Sequence, residues 1–268
     1  MDPSSGVSLL ICSILAHASS EVRAPFGVCS LVADVIMSID LNETLRNNLD
    51  GVRGAIRAAC ERSGRDPREV TLVAVTKYAQ PEWIRGLYDL GCREFGESRP
   101  QQLVQRAAQF PGDVRWHLIG HLQRNKAALV WPVASWLHSV DSVRLAERLG
   151  EVAAQLPARP SILLEVNVSG EASKDGFSPE ELQSAWPKLH SLPLQITGLM
   201  TMAPESDDPQ AARPVFRQLR QLRDALQTER PLPQLSMGMS GDFEVAIEEG
   251  ATLVRVGSRL FEGLAATT

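Results

Sequence analysis

The chain alternates two hydrophobic patterns. Short apolar, β-branched runs of strand length are each followed by a stretch in which apolar residues recur every three to four positions. The clearest run is Val70 to Lys77, V-T-L-V-A-V-T-K. Its nearly unbroken apolar character suits a strand buried on both faces, as in a parallel sheet. Pro81 follows, then Trp83, Ile84, Leu87 and Leu90 at helical spacing, closed by Gly91. The same reading predicts strands at Thr71–Thr76, Arg93–Phe95, Arg115–Ile119, Trp136–Val140, Ser161–Val168, Gln195–Met202, Gln234–Met237 and Thr252–Val256.

Helices are predicted between them. One runs from Pro100 to Gln109, and a short one from Asn125 to Val133. Ser142 is a candidate cap for Val143–Leu156, and Ser178-Pro179 with Glu181 forms a capping box for the next helix. Pro209 to Leu226 and Phe243–Glu249, the latter with Asp242 as cap, complete the set. A first helix is expected to start at Asp40, with Glu43 three residues on, and to end at Gly64. Eight strands alternating with helices argue for a (β/α)8 barrel, with a doubly wound sheet as the alternative.

No linker or repeat divides residues 38–263, so one domain is expected. Residues 1–36 differ. Val7 to Ala18 is apolar but too short to span a bilayer, and Asp2 precedes it where a signal segment needs Lys or Arg. These residues read as an upstream extension, disordered or a start-site artefact, with Met37 as a natural start.

Composition narrows the function classes. A net charge of -5 gives no support to nucleic-acid binding. Cys12, Cys29, Cys60 and Cys92 are scattered without a C-x-x-C pair, which fits a reducing cytoplasm and no disulfide framework. His117 and His121 stand i, i+4, but they fall across a strand end and a turn without an H-E-x-x-H pattern, so no metal site is expected.

Chemistry in an α/β barrel sits at the carboxyl ends of the strands. The chain places there Lys77, Glu97 with Ser98, His117 with Gly120, Asp141, Asn167 with Ser169, Thr201, Ser240 with Gly241, and Gly257 with Ser258. Each has an ordinary structural explanation too. Lys77 alone reads as a strand-ending lysine that snorkels to water. Asp141 and Ser142 read equally well as a cap, Asn167 as a loop ligand, and His117 as a satisfied core histidine. S-M-G-M-S-G-D at 236–242 and V-R-V-G-S-R at 254–259 are more specific. Small residues there let backbone N–H groups close on an oxyanion, and the loops after strands seven and eight commonly hold a phosphate in barrels. Ser240, Gly241, Gly257 and Ser258 are therefore a candidate phosphate cradle. Arg255 within the eighth strand would meet a ligand if it points into the mouth.

A lysine on strand one and a cradle on strands seven and eight suggest a phosphorylated carbonyl ligand, held as a Schiff base on Lys77. Pyridoxal 5′-phosphate fits, with its ring nitrogen toward Arg255 and Asn167 as a further ring contact. A sugar phosphate handled by a Schiff-base aldolase is the alternative, with Glu97 or Asp141 as acid or base.

The sequence also resembles the YggS/PROSC family, the pyridoxal-phosphate homeostasis proteins. The matching stretches are VAVTK at 73–77, FGES at 95–98, WHLIGHLQRNK at 116–126, EVNVSGEASKDGF at 165–177, GLMTMAP at 198–204, LSMGMSGDFEVAI at 235–247 and VRVGSRLFEG at 254–263. The resemblance implies the barrel of the alanine racemase N-terminal domain, Lys77 carrying the cofactor, Ser240, Gly257 and Ser258 on the phosphate, and Arg255 at the pyridine nitrogen. It implies a non-catalytic protein that buffers pyridoxal phosphate and supplies it to apoenzymes. Ser98 and Arg99 stand where the family shows Asn-Tyr, and residues 1–36 lie outside the pattern.

The residues point the same way. A racemase of this barrel type takes a second base, a tyrosine, from a separate β domain, and this chain has only Tyr78 and Tyr88. A slow amino-acid racemase using Lys77 alone is the enzyme alternative, and a regulatory binding protein is another. A monomer is expected, because the proposed site needs no partner chain, and no membrane association is expected.

Overall fold

The computed structural model describes residues 26–171, 174–227 and 230–264, with side chains from residue 41 onward. Eight parallel strands close on themselves in chain order. They are β1 (Thr71–Val75), β2 (Glu94–Glu97), β3 (Arg115–Leu118), β4 (Ala134–Val140), β5 (Ser161–Glu165), β6 (Gln195–Met200), β7 (Gln234–Ser236) and β8 (Leu253–Val256). The register of the closing pair sets Val73 beside Arg255 and Ala74 beside Val256. The expected (β/α)8 barrel is the fold, and all eight predicted strands are present. Most are shorter than expected at their carboxyl ends, where the chain leaves the ladder to build the mouth. The barrel belongs to a compact unit of residues 44–268.

The helices are α1 (Phe26–Arg62), α2 (Pro81–Asp89), α3 (Pro100–Ala107), α4 (Ala127–Val130), α5 (Val143–Gln155), α6 (Pro179–Ser191), α7 (Arg213–Leu226) and α8 (Phe243–Glu248). Helix α6 starts as its sequence dictates. Ser178 Oγ accepts from the Glu181 N–H at 3.1 Å, and the Glu181 carboxylate accepts from the Ser178 N–H at 2.8 Å. Ser142 caps α5 through the Leu145 N–H.

Two expectations fail locally. Helix α1 does not begin at Asp40 but runs straight through it from Phe26. Residues 26–39 hold no proline and one glycine, so nothing interrupts the helix, and a capping pattern without a breaker ahead of it does not start one. Residues 26–36 of the expected extension are thus helical, and residues 1–25 lie outside the described residues. Nor does Asp242 cap α8. Its carboxylate accepts from the Met239 N–H at 2.6 Å and tightens the preceding loop instead.

Inside the barrel, Val73, Leu163, Met200 and Leu253 pack into one apolar layer, with Trp136 and Met202 against it. Cys60 and Cys92 are buried free thiols. Among the described residues no helix is long and apolar enough to cross a membrane.

Candidate functional site

Strand β1 delivers Lys77 to the mouth on a turn fastened from α3. Arg106 donates to the carbonyls of Thr76 at 2.5 Å and Ala79 at 2.7 Å, and to Glu97 Oε1. The Thr76 hydroxyl donates to the same carboxylate oxygen. Glu97 is fully buried, and its Oε2 has no partner. Burial pushes its pKa up, against the pull of Thr76 and Arg106. Lys77 itself is exposed, with Nζ 5.1 Å from the centre of the Tyr78 ring. No carboxylate among the described residues pairs with it. The amine has no ionic partner among the described residues and sits on a turn whose Thr76 and Ala79 carbonyls accept from Arg106.

The β7 and β8 loops form the other rim. Gly238 has φ +91, and a Cβ there would lie 2.6 Å from Ala246 Cβ and 2.8 Å from Phe243 Cα, so only glycine makes this bend. Gly257 lies flat against β1, where a Cβ would come within 3.3 Å of Val75. The Gly257 N–H donates to Ser240 Oγ at 3.2 Å, which ties the two loops together. The backbone N–H groups of Ser240, Gly241 and Ser258 have no acceptor among the described residues. Ser258 is exposed, at the start of a single 3-10 turn. The four cradle residues therefore come together. Helix α8 has only six residues, so the cradle offers N–H and O–H donors rather than a long helix dipole.

Arg255 is 4% exposed and lies within the barrel. It donates to Ser236 Oγ at 2.5 Å and to the Thr201 carbonyl at 3.0 Å, leaving other N–H groups uncommitted. Burial lowers its pKa to about 10, against the pull of Glu165 and Asp242, so it stays cationic at neutral pH. Glu165, at the end of β5, is pushed up to about 7 by burial and by Asp141.

Asn167 takes its ordinary role. Its amide donates to the carbonyls of Glu171 at 2.8 Å and Lys174 at 3.2 Å, and its Oδ1 accepts from Ser169 and Gly170. That set commits both ends of the amide to the β5 loop, so the expected ring contact has no free polar atom here. His117 and His121 do not meet as a pair. His117 is fully buried inside the barrel, while His121 is exposed, 3.2 Å from Asp141 and 3.3 Å from Asp175. A cleft of about 820 Å³ lies beside them, lined by His121, Arg124, Asp141, Arg144 and Arg148 among others, and none of the predicted cofactor residues lines it.

Sequence reasoning missed Arg106, His138 and Ser236. Arg106 sits in an ordinary amphipathic helix, and only the fold reveals that it crosses to the β1 turn. His138 and Ser236 did carry a signal, since each is a polar residue beside apolar strand positions, next to Leu137 and Leu235.

The site and fold define an α/β barrel with an exposed lysine at the end of β1 and N–H groups without acceptors after β7 and β8, among the described residues. Residues 48–264 match the family model for the alanine racemase N-terminal domain. The chain is 42% identical over 217 residues to the pyridoxal phosphate homeostasis protein of Aquifex aeolicus, covering 80% of this chain and 95% of that protein. It is 39% identical over 225 residues to the protein of the same name from Escherichia coli K12, covering 81% and 95%. The structure of PipY from Synechococcus elongatus with pyridoxal phosphate bound is 40% identical, with a TM-score of 0.68 over 77% of this chain and 99% of PipY. The chain belongs to the family of pyridoxal phosphate homeostasis proteins.

Proposed function

We propose that this protein binds pyridoxal 5′-phosphate covalently through Lys77 and serves intracellular homeostasis of the cofactor, without robust turnover of its own. The observation that carries the reading is the uncompensated donor set across the mouth. Among the described residues, an exposed amine without an ionic partner ends β1, and N–H groups after β7 and after its neighbour β8 lack acceptors. The residues fit the group. Lys77 supplies the amine that a pyridoxal carbonyl requires, and the N–H groups of Ser240, Gly241 and Ser258, with the serine hydroxyls, suit phosphate oxygens. The names of the relatives, and the cofactor bound to PipY, support the same ligand.

When bound, the cofactor supplies an electron sink that depends on a protonated ring nitrogen. A cationic Arg255 at that nitrogen disfavours the proton, which argues for storage over catalysis. The β1 turn keeps Lys77 open to water, so the held cofactor stays open to exchange with apoenzymes. One observation favours an enzyme instead. A carboxyl poised near pH 7 at Glu165 suits proton transfer.

The test is an absorbance spectrum of the protein incubated with pyridoxal phosphate, before and after borohydride, with the labelled peptide identified by mass. A visible band near roughly 420 nm that disappears, with the added mass on Lys77, is the expected result. A protein that stays colourless overturns the reading. Conversion of alanine or serine enantiomers, measured on the loaded protein, decides between store and racemase.

A further inference from the structure

A continuous line of hydrogen bonds crosses the barrel interior from Arg255 to Glu94. Arg255 Nη1 donates to Ser236 Oγ at 2.5 Å, Ser236 Oγ meets His138 Nδ1 at 2.9 Å, His138 Nε2 meets His117 Nδ1 at 2.9 Å, and His117 Nε2 meets Glu94 Oε2 at 2.7 Å. Its members come from β8, β7, β4, β3 and β2. Ser236, His117 and His138 are fully buried. Trp136 stacks on His117 with ring centres 5.6 Å apart and planes 7° apart, closing one face of the line.

Given neutral rings, the two ends fix the direction of every bond between them. A guanidinium only donates and a carboxylate only accepts. Ser236 accepts from Arg255, so its own O–H is free to donate to His138 Nδ1. His138 then carries its proton on Nε2 and donates to His117 Nδ1. His117 carries its proton on Nε2 and donates to Glu94. With both imidazoles neutral, this one pattern satisfies all four contacts; a charged His117 would instead donate to both Glu94 and His138 Nε2, with His138 Nδ1 donating to Ser236. Burial lowers the pKa of both rings, with Glu94 opposing it at His117 and with His117 and Arg255 reinforcing it at His138. The other charged groups in reach are Arg115, which pairs with Glu94, and Glu165 and Asp242, which act on Arg255.

We propose that His138, His117 and Ser236 are positioning residues that anchor Arg255 to Glu94 through a one-way hydrogen-bond chain, aiming the uncommitted N–H groups of Arg255 at the cofactor's ring nitrogen. The inference deepens the cofactor reading and rests on it. An arginine otherwise free to rotate is tied at Nη1 by this chain and at Nη2 by the Thr201 carbonyl. Breaking the chain at His138 loosens one of those two ties, because the Ser236 hydroxyl that receives Nη1 is no longer held by the ring. It also leaves His117 Nδ1 without a donor and the Ser236 O–H proton without an acceptor, both buried.

Two measurements test it. Long-range proton–nitrogen NMR on the protein free of cofactor reads the tautomers directly. Both rings are expected neutral with the proton on Nε2 from about pH 6 to about pH 8. A proton on Nδ1 of His138, or a charged ring, overturns the chain. The second compares His138→Met with His138→Gln in protein loaded with pyridoxal phosphate. A glutamine amide can donate toward His117 and accept from Ser236, whereas methionine of similar length cannot. The methionine variant is expected to lose cofactor on dialysis about tenfold faster and to move the pH midpoint of the visible band by about one unit, with the glutamine variant close to the parent. Equal behaviour of the two variants overturns the proposal. If the parent protein takes up no cofactor at all, the reading of the ligand fails, and the tautomer measurement still decides the chain.

Discussion

The two rims of the mouth are held by different physics. The β1 rim, with Lys77, depends on buried charge: Arg106 reaches from α3 to bind two carbonyls and a fully buried carboxylate. The β7–β8 rim depends on backbone: a glycine at φ +91, a second pressed on Val75, and a serine oxygen that accepts a main-chain N–H. A buried ion pair is costly to break from one side, whereas a backbone loop loses little when a hydroxyl is trimmed. Substitutions on the first rim should therefore act on stability and site together. Substitutions on the second should act on ligand retention alone. The lysine itself is the exception that makes the division testable.

Lys77→Ala carries the largest expected effect on binding and the smallest on the fold. Its side chain is exposed and makes no ion pair, so the melting temperature should match the parent, while the borohydride-fixed mass disappears. A variant that still carries covalent cofactor would move the attachment to another lysine.

Arg106→Met follows. It strands Glu97, whose Oε2 already lacks a partner, and it frees the Thr76 and Ala79 carbonyls. Loss of one partner of a buried pair costs about 3–5 kcal/mol, measurable by denaturant unfolding. Slower covalent uptake at Lys77 is expected as well, since the turn is no longer fastened. An unchanged midpoint would show that the clamp is not a stability element. Arg106→Met with Glu97→Gln should recover much of the loss, because the double change leaves no unpaired charge.

Glu165 sharpens the contrast, because it is a buried acid without an ion pair among the described residues, though Arg255 acts on it at longer range. Its folded pKa is raised from 4.5 to about 7, so the native state holds a proton that the unfolded chain has released. The stability this confers is fully present below pH 4.5 and is lost as pH rises through about 7. The shift corresponds to about 3 kcal/mol. Glu165→Gln should remove that slope and melt higher than the parent at pH 8, and matching slopes between the two would place the titration elsewhere.

How much of this could be read in advance depended on whether the signal was local. The β1 run, the Ser178–Glu181 capping box and the glycine-serine stretches declare themselves within a few residues, and the structure contains all three. The apolar pattern alone leaves Lys77 as a strand-ending lysine; the candidate cradle on strands seven and eight, and then the resemblance, raise the expectation of a Schiff base there. Long-range partners were not legible. Nothing near Arg255 says that Ser236 and Thr201, 19 and 54 positions away, would receive it. Asn167 is the opposite case: its hydrogen-bond partners are local, all within its own β5 loop. Asp40 shows a third case, where a plausible cap is overridden because no proline or other breaker ahead of it ends the helix that runs in from Phe26.

The cradle gives the smallest effect and the sharpest comparison. Ser240→Ala with Ser258→Ala removes two hydroxyls but leaves the N–H groups of Ser240, Gly241 and Ser258 in place. The Gly257 N–H loses its acceptor, and since it is only partly buried, water can replace the oxygen at little cost. Stability should fall by less than about 1 kcal/mol. Retention of pyridoxal phosphate on dialysis should weaken by about tenfold, while covalent attachment to Lys77 still occurs. The two rims then separate cleanly: Arg106→Met moves stability and attachment, and the serine pair moves retention. Retention unchanged in the serine pair would assign the phosphate to backbone donors alone. Retention unchanged also in Gly241→Pro, which deletes one of those N–H groups, would place the phosphate away from this rim and overturn the cradle.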